Sequence, residues 1–126
     1  MEYLFVALGG ALGASARFGV TNLSFLSGLE FPFGTLLINV VGSFIIGIIA
    51  GIATRSSVLS RNLILFLKVG VCGGFTTFSS FSLEVFDLFA QQKYVSACLY
   101  MGASVIGCVI GVALGELMSR MLVGNN

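Results

Sequence analysis

A polar segment inside an apolar run is the part of this sequence best suited to chemistry. Residues 73–84, GGFTTFSSFSLE, place five hydroxyl residues and one carboxylate beside three phenylalanines. At about 100° per residue, one helical stripe carries Thr77, Ser80, Phe81 and Glu84, with Phe78 at its edge. Hydroxyls in a kinked helix can instead bond back to their own carbonyls while the rings pack. Because carboxylates at membrane depth usually mark functional sites, a permeation or binding pathway is favoured.

The two glycines that open this segment predict an interrupted helix near residues 73–76. Paired glycines weaken a helix. Irregular backbone at membrane depth is tolerated only where it is buried in protein or lines a wet cavity.

Two further segments carry polar residues at helical spacing. Thr35, Asn39 and Gly42 fall on one face, and Ser96, Tyr100 and Ser104 nearly share another. Asn39 can bond a neighbouring helix, or its amide can supply two donors to an anion. The second face is either a packing seam with incidental hydroxyls or a second polar rail opposite the first.

Arg17 is the one charge well inside the first apolar segment. Its side chain can snorkel to the membrane interface, or it can place a cation at the mouth of an anion path. The sequence favours neither interpretation over the other.

Composition predicts an integral membrane protein. The chain has 126 residues, 57% hydrophobic and 9% charged, with a mean hydropathy of +1.08; soluble domains are roughly 45–50% apolar. A net charge of +1 gives no indication of a nucleic-acid partner. The absence of histidine excludes a histidine-based acid, base or metal site. Three cysteines in apolar runs indicate small packing residues rather than a disulfide framework.

The hydropathy pattern predicts an all-α membrane protein with one domain over residues 1–126 and four spans. The spans cover about residues 3–26, 33–54, 62–90 and 94–122. The N-terminal segment is kept as a span because Glu2, with no Lys or Arg, precedes it, unlike a signal peptide. GxxxG pairs predict close helix contacts; they lie at Gly9 and Gly13, at Gly47 and Gly51, and at Gly107, Gly111 and Gly115.

The distribution of Lys and Arg gives little preference for either orientation in the membrane. Arg55, Arg61 and Arg120 fall on the side of the termini, with Lys68 in the leading part of the third span, whereas Lys93 and Arg17 fall on the other side. The positive-inside rule therefore separates the orientations by a residue or two. Four helices are also few to enclose a pore. Both points predict a dimer, with oppositely oriented copies as one arrangement.

The sequence resembles the Fluc fluoride channels over nearly its whole length. Three motifs occur in order: GGALGASARF at 9–18, GTLLINVVGSF at 34–44 and GGFTTFSSFS at 73–82. The third is highly specific, whereas the first alone would be weak. The family usually has threonine where this chain has Ser80, so the hydroxyl is kept and a methyl group is lost.

That resemblance implies a passive fluoride channel of the bacterial inner membrane. It implies an antiparallel, dual-topology homodimer with two pores and a structural sodium ion at the dimer interface. The carbonyls of Gly73 and Thr76 match the family's sodium ligands, and Arg17 matches a vestibule arginine. Positions matching or flanking the family's fluoride pathway are Asn39, Phe78, Phe81, Thr77, Ser80, Thr35, Glu84, Tyr100 and Ser104.

Two other functions are alternatives to a channel. A small multidrug exporter is also a four-helix, dual-topology dimer and couples to protons. That mechanism needs a carboxylate central in the first span, where only the terminal Glu2 is present. A non-transporting accessory protein would leave the polar stripe unexplained.

Overall fold

The computed structural model describes residues 1–124 and is all-helical over that range. Four helices are long and apolar enough to cross a membrane, as the sequence predicts: Glu2–Thr21, Phe33–Arg55, Arg61–Ala90 and Tyr94–Val123. The elements are α1 (Glu2–Thr21), α2 (Ser24–Ser27), α3 (Phe33–Arg55), α4 (Arg61–Ile64), a π-helix (Leu65–Cys72), α5 (Gly73–Phe75), α6 (Phe78–Ala90) and α7 (Tyr94–Val123).

The first span is shorter than the sequence predicts. It ends at Thr21 rather than near residue 26, and α2 is a separate short helix. The amide of Asn22 donates to the Phe18 carbonyl at 2.7 Å, and the Thr21 hydroxyl lies 3.1 Å from the Arg17 carbonyl. Side chains that bond the last carbonyls of a helix in this way favour its termination.

The third span contains two extended residues, Thr76 and Thr77, between α5 and α6. Gly73 is helical, with φ −63° and ψ −37°. Thr76 has ψ 157°, and Thr77 has φ −151° and ψ 120°. The paired glycines are therefore helical, and the extended backbone begins after them. Gly74 instead allows close helix packing, because a Cβ there would approach the Gly10 carbonyl oxygen of α1.

Glycines allow close packing between two pairs of spans. A Cβ at Gly9 or Gly13 would meet the backbone of the third span at Phe66 or Val71, so α1 packs directly on the π-helix. On the other side of the bundle, α3 and α7 approach closely where Gly115 faces the Phe44 carbonyl. The predicted GxxxG contacts are thus made within one chain.

Few side chains are fully buried in the single chain. One small core consists of Leu88, Ala97 and Tyr100, with Phe31 and Phe81 packed against it. Large apolar side chains cover the outside, as in Val95, Val105 and Val109 of α7. An apolar exterior suits lipid or a second protein surface.

A polar pathway along the third span

Asn39 holds the extended pair Thr76–Thr77 in place. Its Nδ2 donates to the Thr77 carbonyl at 3.0 Å, and its Oδ1 accepts from the Thr77 N–H at 2.8 Å. One amide therefore satisfies both backbone groups of a residue that has left the helix. This is the interhelical role considered for Asn39 from the sequence. The amide carries a second N–H, which this pair of bonds leaves for other partners.

Thr77 also caps the helix that follows it. The Ser80 N–H donates to Thr77 Oγ1 at 3.2 Å, and that hydroxyl donates to Ser80 Oγ at 3.1 Å. A threonine N-cap of this kind satisfies a backbone donor in the first turn. The position is almost closed to solvent, with Thr77 only 8% exposed.

These bonds leave two carbonyls without their usual helical donors. In an uninterrupted helix the Thr77 N–H would donate to the Gly73 carbonyl and the Ser80 N–H to the Thr76 carbonyl. Here those donors bond Asn39 Oδ1 and Thr77 Oγ1 instead. The two residues matched to the family's sodium ligands are therefore ones whose carbonyl oxygens have lost their i+4 partners.

A cavity of about 330 Å³, called here the central cavity, lies beside the extended pair. Five of the predicted fluoride-pathway residues line it, from three different spans: Asn39, Thr77, Phe78, Phe81 and Ser104. Thr76 lines it as well. The cavity wall thus combines hydroxyls, an amide and aromatic rings.

The two phenylalanines of the central cavity differ in their surroundings. Their ring centroids lie 5.5 Å apart with an interplanar angle of 41°. Phe81 packs edge-on against Tyr100 at 5.1 Å, whereas Phe78 is 79% exposed in the single chain. Phe81 is therefore fixed by its own chain, and Phe78 is left for another surface to contact.

Glu84 lies between two hydroxyl donors from other spans. Thr35 Oγ1 donates to Oε1 at 2.7 Å, and the Tyr100 hydroxyl donates to Oε2 at 2.6 Å. Bonds to a carboxylate are among the stronger ones in proteins. The network ties α3, α6 and α7 together and fixes the directions of both hydroxyls.

A second cavity of about 340 Å³, called here the vestibule, adjoins this network. Its wall includes Arg17, Thr35, Thr77, Ser80 and Glu84. Arg17 forms no ion pair within residues 1–124. Its guanidinium is thus the one cation that lines the vestibule. Because Thr77 borders both cavities, the vestibule, which contains Arg17, and the central cavity, which contains Ser104, lie next to each other.

Gly73 lies outside this pathway. It is exposed and lines neither the central cavity nor the vestibule. Within the described part of the chain there is also no cluster of three His, Cys, Asp or Glu side chains able to hold a metal.

Comparison with known proteins identifies the family. The profile described as "CrcB-like protein, Camphor Resistance (CrcB)" matches residues 4–116. The chain belongs to the CrcB-like family. It is 45% identical over 118 residues to the fluoride-specific ion channel FluC of Methylobacterium radiotolerans, covering 92% of this chain and 82% of that one. Proteins of the same name from Aeromonas salmonicida (46% over 114 residues, 90% and 91% covered) and Geobacter sulfurreducens (42% over 120 residues, 94% and 97% covered) are also similar.

The CrcB-like match includes every residue of the pathway, since Arg17 and Ser104 both lie within residues 4–116. Four apolar spans and bacterial relatives of this kind make the chain a multi-pass protein of the bacterial inner membrane.

Two polar residues of this CrcB-like chain line the central cavity but were not assigned to the pathway from the sequence. They are Ser43 and Cys108. Each lies four residues after a residue that was identified, Asn39 or Ser104, and so falls on the same helical face. Extending each polar face by one turn would have found both.

Proposed function

We propose that this protein is a passive fluoride channel. The observation that carries the proposal is that two adjoining cavities, the vestibule with Arg17 and the central cavity with Asn39 and Ser104, share the Thr77 side of the third span. Relatives of similar length are named fluoride-specific ion channels. The pathway offers hydroxyls, an amide and ring edges, with a single arginine in the vestibule wall.

The chemistry of the wall suits a small, strongly hydrated anion. A selective pore must replace the water of hydration with closely placed ligands. Hydroxyl and amide groups donate such hydrogen bonds, and the edge of a phenyl ring is electropositive. The Arg17 guanidinium attracts the anion and offsets the charge of Glu84 in the same vestibule. Thr35 and Tyr100 further spread the carboxylate charge.

We propose that the working unit is an antiparallel homodimer with two pores. Phe78 borders the central cavity but is 79% exposed in the single chain, so the cavity is open on that side. A second copy covering Phe78 would close it without any additional protein. The nearly even Lys and Arg distribution supports opposite orientations for the two copies.

We propose further that a structural sodium ion is held between the copies. The residues fit such an ion, because the carbonyls of Gly73 and Thr76 lack their i+4 donors and carbonyl oxygen is a ligand that hard cations prefer. Interrupting the third span at Thr76–Thr77 is what frees them. Bound there, a cation would offset repulsion between anions in the two pores. A structure of the dimer is expected to contain cation density at these carbonyls; paired copies without it would contradict this part of the proposal.

The proton-coupled exporter is not favoured. Glu2 lies at the start of α1, is exposed, and pairs with Arg61 at 2.6 Å. It therefore has neither the depth nor the free carboxylate that proton coupling in the first span would need. An accessory role would leave the polar pathway without a purpose.

Anion efflux from liposomes tests the proposal directly. Purified protein is reconstituted into liposomes loaded in turn with potassium fluoride and potassium chloride, and efflux is started with a potassium ionophore. Rapid loss of fluoride with retention of chloride is expected. A fluoride trace equal to that of protein-free liposomes would overturn the proposed function, and chloride efflux at the same rate would overturn its selectivity.

A further inference from the structure

One of the three cysteines differs from the others in its position. Cys108 lines the central cavity and is partly exposed. Cys98, on the same helix, is exposed but borders neither that cavity nor the vestibule, and Cys72 is buried at 3% exposure. All three are free thiols. The chain thus presents one thiol to the central cavity and carries two matched thiols elsewhere.

The residue one turn before Cys108 indicates that the central cavity takes a polar occupant. Ser104 is only 6% exposed, and its hydroxyl has no hydrogen-bond partner among the described residues. A buried hydroxyl left unpaired is destabilising. Ser104 also lines the cavity, which is therefore the nearest space from which a polar group can reach this hydroxyl. Such a group would lie next to the Cys108 thiol.

We infer that Cys108 is a modification site for small thiophilic reagents, and that its modification blocks the pathway. This inference rests on the proposed function. At about 330 Å³ the central cavity has room for roughly ten waters of about 30 Å³ each, so a small organomercurial fits. A methylmercury group on the sulfur would place an apolar group in the cavity that Ser104, Phe78 and Phe81 also line.

The reaction is a ligand exchange without change of oxidation state. With methylmercury chloride, the Hg–Cl bond breaks and an S–Hg bond forms. The thiol proton and chloride leave together. An added dithiol removes the mercury by the reverse exchange and so restores the free thiol.

Fluoride efflux before and after methylmercury chloride tests the inference in the reconstituted full-length protein. A loss of at least tenfold, reversed by a dithiol, is expected for the native chain and for Cys98→Ser and Cys72→Ser. Cys108→Ser and Cys108→Ala are each compared with themselves before reagent, and no loss is expected. Persistent block in both Cys108 variants, or unchanged efflux in the native chain, would overturn the inference.

Mass spectrometry of the labelled protein separates this inference from the proposed function. Limiting reagent on the folded protein is expected to modify Cys108 ahead of Cys72. Absence of mercury on Cys108 would overturn the inference whether or not the protein transports fluoride. Native protein that never transports fluoride, yet is labelled at Cys108, would overturn the proposed function and the block while leaving the thiol in an accessible cavity.

Discussion

At the scale of single residues, a conservative substitution of Asn39 is expected to have a large effect on transport. Its amide both donates to and accepts from Thr77, so Asn39→Asp keeps the size but removes the donor facing the Thr77 carbonyl. The new charge would also repel an anion in the central cavity. Losing a donor and adding repulsion should raise the free-energy barrier for the anion by about 1.5–3 kcal/mol. That increase slows its passage roughly 10–100-fold. We expect fluoride efflux to fall by at least that factor while the protein still folds.

Asn22→Asp is the matched control for this prediction. Asn22 also donates its amide to a backbone carbonyl, that of Phe18 at 2.7 Å, but it is exposed and lies outside the central cavity and the vestibule. Its efflux should stay near that of the native chain. If Asn39→Asp transported as well as Asn22→Asp, Asn39 would be a packing residue without influence on the ion path.

Substitution of Phe78 tests whether its ring only packs or faces the ion. Phe78→Ile keeps apolar bulk and should therefore cost little stability. It removes the electropositive ring edge from the cavity wall. Fluoride efflux is expected to collapse, with normal elution of the purified protein. Phe86→Ile, on the same helix and 68% exposed but outside the central cavity, should transport normally. Equal efflux in the two variants would identify the central cavity as a packing defect.

At the scale of helices, the sequence predicts the features that depend on residues close together in the chain. Hydropathy predicted four spans, and the glycine spacing predicted the close contact at Gly9 and Gly13. The extended pair could not be placed in the same way. It occurs at Thr76–Thr77, after the glycines, because Asn39, 38 residues earlier, bonds the Thr77 backbone.

The hydrogen-bond partners of Glu84 could not be predicted from the sequence for the same reason. The carboxylate and its helical stripe are visible in the sequence, but its two donors come from other spans. Thr35 is 49 residues away and Tyr100 is 16 residues away. Hydrogen bonds of this kind are decided by how the helices pack, which residue spacing alone does not specify.

Helix packing itself can be tested at Gly115. A Cβ there would meet the Phe44 carbonyl oxygen and the backbone of Gly47, which cannot move aside as a side chain can. Gly115→Ala should therefore separate α3 from α7 and destabilise the fold by about 1–3 kcal/mol. Gly102→Ala on the same helix has open space and should be neutral or stabilise by about 0.5–1 kcal/mol. Thermal unfolding in detergent compares them, and equal midpoints would contradict the close α3–α7 contact.

At the scale of the whole molecule, the ion pairs lie near the ends of the bundle. Arg55 and Arg120 contact Glu116 at 2.7 and 3.3 Å near the C-terminal end of α7. Lys93 contacts Glu30 at 3.4 Å at the other end. Cations at both ends, in nearly equal number, give the chain only a weak preference for one orientation.

Cysteine labelling in intact cells tests whether the chain adopts both orientations. Gln91→Cys places a thiol in the exposed turn between α6 and α7, and Ser57→Cys places one in the exposed loop at the opposite end. If the dimer is antiparallel, about equal numbers of chains have each orientation, so a membrane-impermeant maleimide should label about half of each variant from outside. Permeabilised cells should label fully, and the native chain gives the background from its own cysteines. Labelling of Gln91→Cys alone, or of Ser57→Cys alone, would mean that all copies insert the same way, and the antiparallel dimer could not form.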